Sequence, residues 1–267
     1  MYKENFHSHT YYCDGKNSPA EMAQGALNLG FHALGFSGHA FIKNFECDWC
    51  MTPDDTSKYI TDINKLKSVY TGKMQIYCGT ELDYFCTDVP GEYDYTIGSV
   101  HYLNMCGKYQ AIDSSLKEQQ EAADKFFGGS LIEYAVEYYS LVSDLMNKLN
   151  NPDIIGHFDL VSKFNEADCA FNTLDKRYTE AWHNAVDALL PYNKPFEINT
   201  GAIARGCRIT PYPALDIADY IHSKGGYFII TSDCHNVNYL DFGFDDVEKV
   251  YAKYNIIKFS EYLKSRQ

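Results

Sequence analysis

Seven short apolar runs recur along this 267-residue chain, and each is followed closely by a histidine, a carboxylate or an amide. They lead to His7 and His9, His39, Glu81, His101, His157, Asn199, and finally Asp233 and His235. Between them lie stretches with apolar residues at three- and four-residue spacing, such as Tyr59, Ile60, Ile63, Leu66, Val69 and Tyr70. Short buried runs alternating with helical patterns predict a parallel α/β sheet or barrel. In such barrels the loops leaving the strand C-termini form one face, so the polar residues would meet there. With 45% hydrophobic residues the chain can bury one large core, and 1–267 is read as a single domain.

Local signals agree with this alternation. Ser18, Pro19 and Glu21 form a helix start with a capping box, and Gly30 closes it. Pro53, Asp54 and Asp55 open a second helix. Further helices are predicted over 131–149, about 175–190 and 213–224. The aromatic face of the first of these, with Tyr134 and Tyr138, is read as core. His32 lies inside an apolar run and is expected to pack in the core, while His183 and His222 fall within helices and are set aside. Residues 104–129 are polar, contain Asp113 and end in Gly128-Gly129. They predict a long insertion over one face, the kind of segment that serves as a lid or binding loop.

A net charge of -13 and a pI near 5.0 argue against nucleic acid, because phosphate backbones reward clustered Lys and Arg. A small anion can still bind where the positive charge is local, and bound divalent cations would supply it. No apolar run approaches the roughly 18 residues of a membrane span. Nine cysteines are an odd number, and the N-terminus lacks a leader pattern, so a reducing cytoplasm is the expected compartment. Cys47-Asp-Trp-Cys50 has redox or zinc spacing, but no second pair completes a four-cysteine site.

In an extended strand, residues i and i+2 face the same side, so His7 and His9 can aim two imidazoles at one point. Any one histidine is more often a hydrogen-bonded core residue. That explanation weakens when so many strand ends carry one. With Asp14, six histidines and three carboxylates exceed what a single ion needs and point to two or three.

These residues resemble a known family. His7-Ser-His9, Asp14, Gly38-His39, Glu81, Gly98-Ser-Val-His101, Gly156-His157 and Ser232-Asp-Cys-His235 are similar to the metal-binding motifs of the polymerase-and-histidinol-phosphatase (PHP) superfamily. Gly98 to Tyr102, Asp153 to Asp159 and Glu197 to Gly201, followed by Arg205-Gly206, resemble its histidinol-phosphate phosphatase branch. The resemblance implies a distorted, TIM-like (β/α)7 barrel, with the insertion over the active-site face and three divalent ions, zinc, manganese or iron. One ion would take His7, His9, Glu81 and Asp233. Glu81 would bridge to a second held by His101 and His157, and Asp14, His39 and His235 would hold the third. An aspartate at position 14, where some members have histidine, makes manganese or iron plausible beside zinc.

The chemistry implied is hydrolysis of a small phosphate monoester, L-histidinol phosphate, in histidine biosynthesis. Cations would neutralise the phosphoryl oxygens and lower the pKa of water. Asp233, His235 and Glu81 are the catalytic candidates, with a metal-bound water, Asp233 or His235 as the candidate proton donors. Arg205 is the candidate phosphate clamp, with Arg208 and Lys163 as further candidates, since a guanidinium fits that geometry. For Arg208 and Lys163 an ordinary surface charge is the competing expectation. Rival functions are a PHP phosphoesterase for a sugar or nucleotide phosphate, an amidohydrolase, and a phosphate-binding module without turnover. Amidohydrolases commonly bridge metals through lysine, whereas this chain offers Glu81.

Overall fold

The computed structural model describes residues 2–43, 47–86 and 91–266. Seven parallel strands form the sheet: β1 (Glu4–Asn5), β2 (Ala33–Phe36), β3 (Gln75–Asp83), β4 (Tyr95–Ser99), then, after the hairpin strands β5 (Tyr102–Met105) and β6 (Lys108–Ala111), β7 (Ile154–Ile155), β8 (Phe196–Asn199) and β9 (Phe228–Thr231). Their spatial order is β1-β2-β3-β4-β7-β8-β9. Each central strand pairs in parallel with its neighbour. The first and last meet through a parallel bridge between Ser8 and Cys234, where the His9 amide donates to the Cys234 carbonyl at 2.9 Å. The sheet is therefore a nearly closed (β/α)7 barrel, drawn together just beside the predicted ligands. No helix of the described residues is long and apolar enough to cross a membrane.

Side chains alternate across the barrel wall. Phe6, Ala33, Tyr95, Ile97, Ile154 and Ile229 form an inner cluster, plugged from below by Phe259 and Leu263 of the helix Phe259–Ser265. Leu34, Phe36, Phe196, Phe228 and Ile230 face outward into the larger core beneath the helices. Tyr95 spans the interior, its hydroxyl 2.7 and 2.9 Å from the carbonyls of Phe6 and Phe36. It fits because Gly79 has no side chain: a Cβ there would come within 2.3 Å of the Tyr95 ring. Gly79→Ala is thus expected to lower stability by about 1–3 kcal/mol through overpacking, read as an earlier midpoint in urea.

The C-terminal helix is tied to the first strand by a buried charge. Glu4, fully buried, accepts from Ser260 Oγ at 2.6 Å, from the Phe259 amide and from Tyr2 at 3.1 Å. His32 completes this group, with Nε2 3.0 Å from Glu4. It is not a core residue as expected, since its side chain is 45% exposed. The carboxylate draws the ring to the barrel's underside rather than into it.

The helix Pro19–Asn28 carries the Ser18–Glu21 capping box, and Thr52 and Asp55 form a second on the helix Pro53–Val69. Tyr134 and Tyr138 of the helix Leu131–Lys148 are core, as read from their spacing. The insertion has its own structure. β5 and β6 make an antiparallel hairpin whose two turn residues, Cys106 and Gly107, both have positive φ (54° and 88°), as a tight hairpin turn requires. The helix Leu116–Phe126 follows and is pinned by the buried Gln119 amide, which donates to the Ile112 carbonyl at 2.7 Å. Cys47 and Cys50 are joined as a disulfide.

Candidate metal centre

All the ionisable groups predicted at the strand ends meet at the C-terminal rim. His7 and His9 follow β1, His39 follows β2, Glu81 lies near the end of β3, His101 follows β4, His157 follows β7, and Asp233 and His235 follow β9. Three groups have ligand atoms within 4.8 Å of one another: His9, Asp14, His39 and His235; His7, His9 and Asp233; His39, Glu81 and His101. His9 and His39 each belong to two, so the groups form one continuous centre. Its rings lie close, with the His9 centroid 4.2 Å from those of both His39 and His235.

Glu81 is the hub. One carboxylate oxygen lies 3.0 Å from His7 Nε2, 3.1 Å from His39 Nδ1 and 3.6 Å from His9 Nε2. The other lies 3.0 Å from His157 Nε2 and 3.4 Å from His101 Nε2, and accepts from Ser99 Oγ at 2.6 Å. Burial alone would raise this carboxyl; His7, His39 and His101 outweigh it and hold it well below the usual range. Burial acts likewise on Asp233, but Arg205 and His7 keep it ionised. His9 is lowered as well, to about 3, but there the neutral form is favoured, because burial and then His235 and His39 disfavour its cation. A neutral imidazole is the form that ligates metal.

Asp233 sits in the left-handed region at φ 45°, a conformation that persists only when its surroundings fix it. Arg205 does so with two prongs: Nη1 donates to the Asp233 carbonyl and Nη2 to its Oδ2, both at 3.0 Å. Gly201 leaves the necessary room, since a Cβ there would be 2.9 Å from the Asp233 Cβ.

A cavity of about 460 Å³ opens onto these groups. Asp14, His39, Glu81, His101, His157, Asp233 and His235 make its floor, and Arg205 stands at one side. Trp49, Tyr102 and, from the insertion, Ala111, Asp113 and Ser114 also line it. The insertion thus occupies the active-site face, as expected.

The three basic candidates fare differently. Arg205 lines the cavity with its side chain 38% exposed. Lys163 also lines it, but Nζ donates to the Asp113 carbonyl and to Asp113 Oδ2 at 2.8 and 3.0 Å, so it is engaged by the insertion. Arg208 is buried rather than a surface charge, and it does not line the cavity. Its buried guanidinium donates to Ser162 Oγ at 2.7 Å, lies 3.8 Å from Asp159 and stacks over Tyr212 at 4.4 Å, away from the cavity lining. Two carboxylates draw it there, Glu166 at 3.3 Å and the buried Asp159 at 3.8 Å, since buried charge is nearly always paired.

Sequence reasoning missed the outer carboxylates. Glu197, fully buried in β8, accepts from His7 Nδ1 at 2.6 Å and from the His157 amide at 2.9 Å. Asp83 accepts from the His101 amide at 2.8 Å, with its Oδ2 3.4 Å from His101 Nδ1. A carboxylate inside an apolar strand was the available signal, since buried charge is nearly always paired. Glu197 fixes the His7 tautomer with Nε2 facing inward. Glu197→Gln is accordingly expected to weaken metal affinity by about 10–100-fold, measured by competition with a chromophoric chelator.

The donor set fits divalent metal. His9 Nε2 is buried with no hydrogen-bond partner among the described residues, yet it lies 3.2 Å from Asp233 Oδ1. A polar atom in that position is costly unless something binds it. Barrel and site together define a TIM-like protein with a metal-binding centre of histidines and carboxylates at its C-terminal rim. The model of the PHP domain matches residues 5–201, and the chain belongs to that family. A Deinococcus radiodurans protein named "Probable histidinol-phosphatase" is 29% identical over 253 residues, covering 91% of this chain and 90% of that one. The Bacillus subtilis histidinol-phosphatase is 31% identical over 188 residues, covering 61% of this chain and 68% of that one. Among solved structures, the Lactococcus lactis histidinol phosphate phosphatase, complexed with zinc, L-histidinol and phosphate, superimposes with a TM-score of 0.74 at 18% identity, covering 96% of this chain and 95% of that one.

Proposed function

We propose that the chain is a metal-dependent phosphomonoesterase that hydrolyses L-histidinol phosphate to L-histidinol and phosphate, a step of histidine biosynthesis in the cytoplasm. The carrying observation is the cavity itself, with histidines and ionised carboxylates as floor and a guanidinium at its edge. Three ions are assigned. His7, His9, Asp233 and Glu81 hold the first, Glu81, His101 and His157 the second, and Asp14, His39 and His235 the third. His9 and His39 lie near enough to neighbouring groups to share their load.

When bound, divalent ions neutralise phosphoryl oxygens and lower the pKa of water into the neutral range. The remaining work falls to side chains. Glu81 and Asp233 stay ionised and acceptor-only. His7 is oriented by Glu197, and the His101 backbone is held by Asp83, whose Oδ2 also faces the ring at 3.4 Å. Arg205, already aligned by Asp233, turns its remaining donors toward a phosphate oxygen. The far wall offers aromatic faces on Trp49 and Tyr102 and the Asp113 carboxylate, which suit a substrate with an imidazole and an ammonium. The assignment to histidinol phosphate is supported by the names and extents of the relatives.

The test is phosphate release from histidinol phosphate beside a panel of sugar and nucleotide monophosphates, using protein reconstituted with manganese, iron or zinc. A kcat/KM for histidinol phosphate well above every other ester is expected. Preference for a sugar or nucleotide phosphate would replace the substrate while leaving the metal chemistry.

A further inference from the structure

The Cys47–Cys50 disulfide is used by nothing in the chemistry above, yet it closes a four-residue loop at the cavity wall. Trp49, inside that loop, is its contact with the site. The indole meets the His39 ring edge-on at 4.4 Å, stacks on Tyr102 at 5.8 Å with the planes 12° apart, and donates from Nε1 to Tyr102 Oη at 2.8 Å. On the other side of Cys50 the chain is firmly held. Met51 is fully buried, and its amide donates to the His39 carbonyl at 3.0 Å. Both sulfur-bearing residues are partly exposed, and the other seven cysteines are free thiols.

We propose that Cys47 and Cys50 are a reversible thiol–disulfide site through which a low-molecular-weight thiol pair of the glutathione class sets the position of Trp49 and so the affinity for substrate. Exposed disulfides near functional groups are the labile ones, while structural disulfides are typically resistant to reduction. In the reductive direction an external thiolate attacks one sulfur and the Cys47–Cys50 bond breaks, leaving a mixed disulfide and a protein thiolate, which takes up a proton. A second external thiolate attacks the mixed disulfide at its external sulfur. That releases the oxidised external pair and the second protein thiol, so two electrons and two protons enter the protein. Oxidation by the external disulfide reverses these steps.

The disulfide form holds the loop closed and Trp49 in the wall. In the dithiol form the covalent closure behind the indole is gone, its contacts with Tyr102 and His39 open and re-form, and Trp49 must be ordered anew by each substrate. Immobilising one such side chain corresponds to about three- to ten-fold in affinity. His39 and Met51 remain tied to β2, so the metal centre and kcat stay as they were.

This inference rests on the substrate reading above, and the experiment separates the two. Full-length, metal-loaded protein is equilibrated in glutathione buffers from reducing to oxidising. The thiols are trapped by alkylation and mapped, and bound metal is measured throughout. KM and kcat are taken for histidinol phosphate, and iodide quenching of Trp49 is followed in a Trp182→Phe background, since the chain has two tryptophans. The expected result is a KM rising about three- to ten-fold on reduction, with kcat and metal content unchanged and Trp49 quenching rising in step. Cys47→Ser/Cys50→Ser protein should sit at the reduced values in every buffer. A pair that stays reduced in the most oxidising buffer, or one that switches with KM and quenching unmoved, overturns the proposal. If no buffer supports turnover of histidinol phosphate while quenching still follows the trapped state of the pair, the switch stands and the substrate assignment falls.

Discussion

Glu81→Gln protein is expected to turn over at least about 10³-fold more slowly than wild type while remaining folded. Glutamine keeps the volume and can still accept from Ser99, but it removes the one charge that faces His7, His39, His101 and His157 together. Cations on both sides of that carboxylate would be worth several kcal/mol of transition-state charge stabilisation, and each 1.36 kcal/mol is tenfold in rate. Elemental analysis should find less metal per chain. Full metal content with near-normal turnover would mean that Glu81 is not shared.

Arg205→Ala protein is expected to lose about 10²–10³-fold in kcat/KM, the usual effect of deleting one donor aimed at developing charge, while most of its metal is retained. Arg205 has a second role, because two of its donors hold Asp233 in a left-handed conformation. Some loss of order at Asp233 should accompany the change. Arg205→Lys keeps the charge but cannot make both contacts, so only partial recovery is expected. An alanine variant emptied of metal would assign Arg205 to holding the centre rather than the phosphate.

The strand ends were legible because a ligand at the end of a short apolar run carries two signals at once, the run that buries the backbone and the polar residue that must leave it. Asp14 and Arg205 lacked that support and were legible only by their places, one five residues past His9 and the other beyond Asn199. Glu197 and Asp83 carried no assigned role because their partners, His7 and His101, lie elsewhere in the sequence, so the need for a buried carboxylate had no local cause. Glu4 and His32 hid for the same reason. The hairpin β5–β6 was read only as part of a polar insertion, since Cys106-Gly107 is not a common two-residue turn sequence. Arg208 was misplaced because sequence cannot tell a cation that meets substrate from one that neutralises a buried acid.

The central claim is that residues from His7 to His235 assemble several cations that the reaction requires. The direct measurement is to strip the protein with a chelator and titrate manganese, iron or zinc back while following bound metal and phosphate release together. Turnover should be absent in stripped protein and rise with occupancy to a plateau at about three ions per chain, the number proposed above. Undiminished hydrolysis in protein with no stoichiometric metal would contradict it.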